Sequence, residues 1–523
     1  MDLEAIDKDW DLIVIGGGIT GAGVLQEATR MGLKALLVEQ QDFAWGTSSR
    51  SAKLVHGGLR YIKEGQFRLT WESVHGRELL LKEAPGLVAP LEFLMPLYKG
   101  SGPGRWAMKA GLVVYDLMAG KRRHAFLSAD AFTSLVPQVK QDGLGGGFRF
   151  MDAQVDDARL VLRIIRESVR SGSCALNYTS VESLMRNGRG RVVGAILRDT
   201  ETGSTREISG RAVINATGAW AEKLHPSPEP GKHLRPLRGS HLVFPRSILP
   251  FDRAIGLVHP EDRRPVYVLP WEGAVLFGTT DVDHREALSV EPSITREETS
   301  YLMEALRVFF PALAISPTDC LSTFAGIRAV FSEGDLPPSE ESREHAVWVN
   351  NGMVTITGGK LTTFHLLARD GLAAAKPFLT GVSGRTHDGS LFSRVVENAS
   401  AAEMLPEEVR IRLFGRYGTD TPDLIEMAAP EDLEAIPHSR TLWAELPFAA
   451  RFEQVRHLSD LLLRRVRIGL LVPRGGVDLM ERIRTLCEPW LPWDANRWDK
   501  EISDYLSLWQ KAYGVPAENG EKR

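Results

Sequence analysis

Three consecutive glycines follow Ile15, and the run GGGITG sets Gly16, Gly18 and Gly21 in a G-x-G-x-x-G spacing. A short β-branched apolar run, Asp11 to Ile15, precedes the cluster. AGVLQEATRM follows it as a helix stopped by Gly32, and Ala35 to Val38 reads as a second buried strand. This order is one βαβ unit, and it commits the N-terminal region to a parallel, doubly wound sheet. In such a unit the first glycine permits the tight turn, the second lets a pyrophosphate approach the backbone, and the third lets helix and strand pack closely. The helix N-terminus adds free N–H groups and a positive dipole end. Glu39 closes the second strand, where an acid accepts hydrogen bonds from a ribose diol. The chain is therefore expected to hold the ADP half of a dinucleotide.

The fingerprint does not separate NAD from FAD; the residues after it do more. QQDFAWGTSSRSAKLVHGGLRY brings small hydroxylated side chains at Thr47, Ser48 and Ser49 and paired glycines at Gly57 and Gly58, which leave room for a flavin lying along the chain. Far downstream, INATGAW places Ala216, Thr217 and Gly218 at the end of a strand, as expected of a strand that returns to close on the cofactor.

A length of 523 residues predicts two or three domains rather than one core. Helices such as Asp157 to Val169 alternate with strands such as Arg191 to Arg198 and Arg211 to Asn215. Strand signals dominate from Leu234 to Thr280, with the alternation of an antiparallel sheet carrying a substrate site. A loop rich in Pro, Glu and Ser, Gly334 to Glu344, precedes renewed strand character from Val347 to Thr357. From Thr380 the pattern turns helical, with Pro406 to Tyr417, Phe448 to Arg467 and Glu501 to Tyr513 as the clearest segments of a separate helical domain.

Lys and Arg number 63 against 67 Asp and Glu, a net charge of −4, so no overall basic field exists to hold nucleic acid. Cys174, Cys320 and Cys487 are odd in number and far apart; they exclude a disulfide framework, show no metal-ligand spacing, and point to a reducing compartment. The acidic start MDLEAIDKDW lacks the apolar run of a secretory signal, so the mature chain is expected to begin there. No uninterrupted apolar run reaches the length of a transmembrane helix, and membrane association is expected to be peripheral.

GGGITGAG, GTSSRSAKLVHGGLRY, DDARLVL, NATGAW, RGSH, VLPW, GTTDVD and GGKLTTF occur in this order, and together they resemble the FAD-dependent glycerol-3-phosphate dehydrogenases. The likeness runs from Asp11 to about Phe364, and FEQVRHLSDLLLRRVRIGL extends it to that family's helical C-terminal domain. The G-x-G-x-x-G and NATG motifs are common to many flavoproteins; HGGLRY, GTTD and GGKLTT together are far more specific. The resemblance implies an α/β Rossmann-like, D-amino-acid-oxidase-like FAD domain over residues 1–90, 150–225 and 345–380. It further implies an inserted antiparallel-sheet substrate and membrane-associated domain over 91–149 and 226–344, and a C-terminal helical domain over 381–523. It implies oxidation of sn-glycerol 3-phosphate to dihydroxyacetone phosphate, with electrons passed to a membrane quinone from the cytoplasmic face of the inner membrane; a homodimer is compatible with it. The family's substrate-binding positions map onto Arg60, Tyr61, Arg328, Arg343 and Lys360. Ala329 and Ala219 stand where that family usually carries proline.

These residue types suit the chemistry. A phosphate monoester is nearly doubly charged at neutral pH; arginine offers it a planar fork of donors and lysine a point charge. Oxidising a secondary alcohol needs a base within reach of the hydroxyl, for which His56 and His241 are the candidates, while Lys360 or Arg328 can polarise the forming carbonyl. Thr279 and Thr280 are placed to point hydroxyls at substrate, and Asp281 reads as a turn cap. Gly359, Lys360, Leu361, Thr362 and Thr363 read as the start of a helix facing the flavin. The stretch Pro103 to His124 is apolar on one side and carries Arg105, Lys109, Lys121, Arg122 and Arg123. It reads either as a helix packed on the protein's own core or as a membrane-surface helix, and the resemblance favours the membrane. Arg464, Arg465 and Arg467 read as a solvated helix face. Three rivals stay open: a glycerol-3-phosphate oxidase using oxygen, an FAD oxidase of another hydroxy acid or amine, and a flavin-binding scaffold without catalysis.

Overall fold

Burial on both faces explains the continuous apolar strand Asp9–Ile15, in which Leu12, Ile13 and Val14 have no solvent exposure. In the computed structural model, which describes residues 3–100, 102, 104–226, 231–332, 337–338, 341, 344–380, 389–393 and 405–516, this strand is the centre of an eight-stranded sheet. Five strands run parallel, in the order Met353–Gly358, Thr205–Asn215, Asp9–Ile15, Ala35–Val38 and Cys174–Leu176. His345–Asn350 adds an antiparallel edge, so the strand signal read over Val347 to Thr357 is a hairpin rather than one strand. One face is covered by the helices Ile19–Arg30, Asp157–Arg170 and Phe364–Ala375, through Leu12, Val14, Leu25, Ile164 and Leu367. The other face, through Ile13 and Ile15, meets Val192, Ala195 and Ile208 of an antiparallel layer.

The second sheet has ten strands and is mixed: its pairs are antiparallel except Ala254–Val258 on Val88–Tyr98. Its long strand His233–Pro245 pairs with Ala274–Gly278 on one side and with Ser322–Ser332 on the other. Leu144–Val155 belongs to this sheet along its whole length, so the boundary read at residue 150 falls inside a strand.

The C-terminal region is helical as expected, but its core is continuous with the second sheet: Leu461, Leu462 and Ile468 share one cluster with Leu269, Leu276 and Phe324. Two readings need correction. The helix read over Phe448 to Arg467 ends at Phe452; a short turn Leu458–Asp460 and a five-residue π turn Leu461–Arg465 follow, and Arg467 takes a left-handed φ of 64°. Arg464, Arg465 and Arg467 are not a solvated face but are 2%, 0% and 1% exposed. In a regular helix neighbours lie about 100° apart, so 464 and 465 would diverge; the broken backbone lets all three turn inward to buried carboxylates.

Candidate active site

One cavity of about 1160 Å³ runs from the glycine turn to the second sheet. At its first end, Gly16 has φ +111°, and a Cβ there would lie 2.6 Å from the carbonyl oxygen of Ala216; a Cβ on Gly21 would lie 1.9 Å from the carbonyl oxygen of Gly16. Only glycine fits either place. Gly18 caps the helix Ile19–Arg30 with no side chain, and the Ile19 N–H donates to Ser48 Oγ at 2.9 Å. Glu39 accepts from the N–H groups of Gly17 and Gln41 at 2.7 and 2.9 Å, and burial pushes its carboxyl pKa up. Thr47, Ser48, Gly58, Ala216, Thr217, Gly218, Gly359, Lys360, Leu361 and Thr362 line the same cavity.

Two of the predicted cofactor contacts are not among the residues that line the cavity. Ser49 is buried with its carbonyl bonded to Lys53 Nζ and Arg467 Nη2. Gly57 packs on a neighbouring helix, its N–H donating to Tyr115 Oη at 2.8 Å and Asp152 Oδ1 at 3.2 Å. Both belong to the support of the cavity rather than its wall.

At the far end the second sheet brings in the charged groups. His241 pairs in register with Gly278 and Phe324. Its ring lies in the slot that the missing side chain of Gly278 leaves, where a Cβ would come within 2.5 Å, and it stacks on Phe324 at 4.7 Å and 11°. Neither ring nitrogen of His241 has a hydrogen-bond partner among the described residues although the residue is 2% exposed. Burial first, then the charges of Lys53 and Arg328, push its pKa down to about 3, so the imidazole is neutral. A buried ring with two unpaired nitrogens in a cavity wall is a place for a ligand hydroxyl.

Arg328 crosses from the adjacent strand over Gly239, where a Cβ would come within 2.2 Å of its Nη2 and 2.6 Å of Thr279 Oγ1. Its Nη2 donates to the Thr280 carbonyl at 3.0 Å and lies 3.4 Å from Asp281 Oδ1. Asp281 is thus more than a turn cap: buried beneath the guanidinium, it orients Arg328 and lies 3.6 Å from Arg264. Thr279 faces the cavity, whereas the Thr280 hydroxyl is buried and donates to Glu298 at 2.6 Å. Arg60, Tyr61, His56 and Lys360 complete this end. The Lys360 ammonium sits 3.6 Å above the Tyr61 ring and donates to Ser73 Oγ at 3.1 Å; Arg60 lies 5.0 Å from the same ring, and His56 stacks on it at 6.5 Å. Arg343 lies outside the described residues.

Sequence reasoning missed Lys53. It is 1% exposed, holds Asp157 at 2.8 Å, lies 4.7 Å from the Phe324 ring, and burial pulls its pKa down to about 7. Its only sequence signal is a lysine inside a run of small residues. Also missed is an apolar branch of the cavity lined by Leu59, Phe93, Met95, Met108 and Phe150. Met108 lies on the helix Arg105–Ala119, which buries Met108, Leu112 and Tyr115 on the core while Trp106 and Leu117 stand 74% and 75% exposed. Phe67 and Trp71, each 52% exposed, stand on the helix Phe67–Glu83 packed beside it. The reading of this helix as packed on the protein's own core describes its buried face, and its other face is exposed. Among the described residues no helix is long and apolar enough to cross a membrane.

The cradle fits FAD: a glycine turn open to a pyrophosphate, an acid at the ribose position, a second helix start at Leu361–Thr363, and unpaired ring nitrogens where the flavin end and a substrate would meet. Residues 11–370 match the family model for FAD dependent oxidoreductases, and residues 378–498 match that for the C-terminal domain of alpha-glycerophosphate oxidase. The chain is 35% identical over 527 residues to glycerol-3-phosphate dehydrogenase 2 of Mycobacterium tuberculosis, covering 96% of this chain and 88% of that protein. It is 33% identical over 485 residues to the aerobic glycerol-3-phosphate dehydrogenase of Staphylococcus haemolyticus, covering 88% and 87%. The X-ray structure of the glycerol-3-phosphate dehydrogenase from Bacillus halodurans complexed with FAD superposes with a TM-score of 0.77 at 26% identity, covering 99% of this chain and 98% of that one. Glycine oxidase from Bacillus cereus, at 19% identity and a TM-score of 0.52 over 74% of this chain and 99% of that one, shares the fold alone. With flavin cradle, second sheet and helical C-terminal region all matched, the chain belongs to the FAD-dependent oxidoreductases and, within them, to the glycerol-3-phosphate dehydrogenase family.

Proposed function

We propose that this protein oxidises sn-glycerol 3-phosphate at C2 to dihydroxyacetone phosphate and passes the electrons to a membrane quinone, working from the cytoplasmic face of the inner membrane. The observation that carries the reading is the convergence of Arg60, Arg328 and Lys360 with a neutral, unpaired His241 on one cavity. FAD, when bound, supplies the hydride acceptor. The chain's own residues do the rest. Arg328, braced by the Thr280 carbonyl and Asp281, presents a fixed fork to a phosphate dianion, and Lys360 and Arg60 add charge beside it. A ring nitrogen of His241 accepts the substrate hydroxyl and takes its proton. The arriving dianion opposes the Lys53 and Arg328 charges that hold the imidazole's pKa down, so proton affinity rises where substrate is bound. The remaining positive charge stabilises the developing alkoxide.

The quinone and the membrane are supported by the apolar branch of the cavity and by the helix Arg105–Ala119 that walls it. That helix carries bare Trp106 and Leu117 beside Arg105 and Lys109, with Lys121 and Arg122 just beyond its end, the pattern of a helix lying in an anionic headgroup layer. The match to an oxidase's C-terminal domain keeps molecular oxygen as the second reading of the acceptor.

The test is anaerobic flavin absorbance on adding sn-glycerol 3-phosphate, with glycerol and lactate as controls, followed by reoxidation with a quinone analogue or with oxygen. Bleaching by the phosphate ester alone supports the substrate. Bleaching by a control refutes it, and stoichiometric peroxide in air refutes the quinone. For the membrane, Trp106→Glu with Leu117→Glu is expected to abolish sedimentation with anionic vesicles while turnover with a soluble dye persists; unchanged sedimentation refutes the docking face.

A further inference from the structure

The loop over residues 40–53 joins the ribose-binding strand to Leu54–Val55, and a single turn of 3-10 helix, Thr47–Ser49, is its only regular structure. Loops of this kind are ordinarily exposed. Here Asp42, Ser48, Ser49, Arg50 and Lys53 are all buried. What replaces ladder hydrogen bonds is a set of charge-assisted hydrogen bonds from chain 418 to 423 residues downstream. Arg464 Nε and Arg465 Nη1 both reach Asp42 Oδ2 at 2.5 Å, and Arg465 Nη2 reaches Oδ1 at 2.7 Å. Arg467 Nη2 donates to the Ser49 carbonyl at 2.8 Å and to Asp157 Oδ1 at 2.7 Å, the same carboxylate that Lys53 holds. Arg50 donates to the Tyr513 hydroxyl at 3.2 Å and pairs with Glu291. Ala44, Lys53 and Arg467 take left-handed φ values of 60°, 59° and 64°, conformations that non-glycine residues keep only where their surroundings over-determine them.

We infer that the C-terminal helical region is a clasp for the flavin: Arg464, Arg465 and Arg467 are positioning residues that hold the loop in the shape presenting Thr47 and Ser48 to FAD. Binding of FAD and docking of residues 458–471 then stabilise each other, because coupling between two sites is reciprocal. None of these arginines lines the cavity, so they act through the loop and not on the cofactor directly. The inference rests on the flavin and not on the identity of the substrate.

The test compares Asp42→Asn with Glu445→Gln in the full chain. Glu445 is equally buried in the same region, paired with Arg412 at 2.7 Å, but bonds no residue of the loop. For each variant the FAD dissociation constant is read from flavin fluorescence on dilution, beside the melting temperature. Asp42→Asn is expected to weaken FAD by about tenfold or more, the scale of one lost charge-assisted hydrogen bond, and Glu445→Gln by less than about twofold at a similar loss of melting temperature. Equal losses of FAD in the two variants, or none in either, overturn the inference. Should Asp42→Asn not fold, the wild-type protein decides. Amide exchange over residues 458–471 is expected to speed up by about tenfold when FAD is stripped, as two coupled sites require; equal rates with and without FAD overturn it.

Discussion

Gly239→Ala is the sharpest perturbation of the proposed chemistry, because it changes a residue that carries no functional group. The backbone at Gly239 is ordinary strand, paired in register with Gly326, so alanine is tolerated there by φ and ψ. The added Cβ would stand 2.2 Å from Arg328 Nη2, 2.6 Å from Thr279 Oγ1 and 3.1 Å from the Thr280 carbonyl oxygen. The two closest atoms are ends of side chains, so they move and the strands stay. Restoring van der Waals separation displaces the guanidinium by about 1 Å or more and takes it off the Thr280 carbonyl and Asp281. A misplacement of this size costs on the order of 10²-fold in rate, about 2.7 kcal/mol of transition-state stabilisation. The change in fold stability stays within about 1–3 kcal/mol, the range of modest overpacking. Steady-state kcat/KM for sn-glycerol 3-phosphate is measured beside flavin content and melting temperature. A fall of about two orders of magnitude in kcat/KM is expected with flavin content unchanged. Wild-type kcat/KM would show that the position of Arg328 does not set the rate, and a fall accompanied by lost flavin would show that the strand, not the arginine, had moved.

His241→Phe keeps the stack on Phe324 and removes two buried nitrogens that have no partner among the described residues, so an equal or higher melting temperature is expected together with a loss of about 10²–10⁴-fold in kcat; full activity would remove His241 from the chemistry. His457 bridges Glu201 and Glu501, and these two carboxylates outweigh the effect of burial to raise its pKa to about 10. Its stabilising contribution is complete below its ordinary pKa of about 6.5 and is lost progressively as pH rises from there through about 10. The melting-temperature advantage of the wild type over His457→Gln should shrink accordingly in alkali, and an advantage that is flat to pH 11 would contradict the assignment.

Much of the flavin half was legible because its determinants are local. A strand, a glycine turn, a helix and Glu39 lie within some thirty residues, and Gly21 is demanded by a contact inside that unit, though the group that Gly16 makes room for, the Ala216 carbonyl, comes from a distant strand. The charged residues of the substrate end were legible only through family motifs, since nothing near Arg60, Arg328 or Lys360 in the chain tells that they share a cavity. Where the reading failed, long-range pairing had decided. Periodicity over Phe448 to Arg467 predicts a helix with an arginine-rich outer face, because periodicity sees polarity and not partners. Of the acids that draw those arginines inward, Asp42, Asp156 and Asp157 lie more than 300 residues earlier, and Asp460, four residues before Arg464, is the near one.

By itself, then, the amino-acid sequence determined the βαβ unit, the two kinds of sheet pattern and the helical C-terminal region, all set by backbone preference and apolar periodicity at short range. The tertiary structure alone decided that Gly239 and Gly278 make room for Arg328 and His241, that Ser49 and Gly57 stay outside the cavity's lining, and that Asp42 and Ser49 are fastened by arginines from the far end of the chain. These depend on which strands become neighbours and which charges are buried together. A buried charge persists only where the fold supplies its partner.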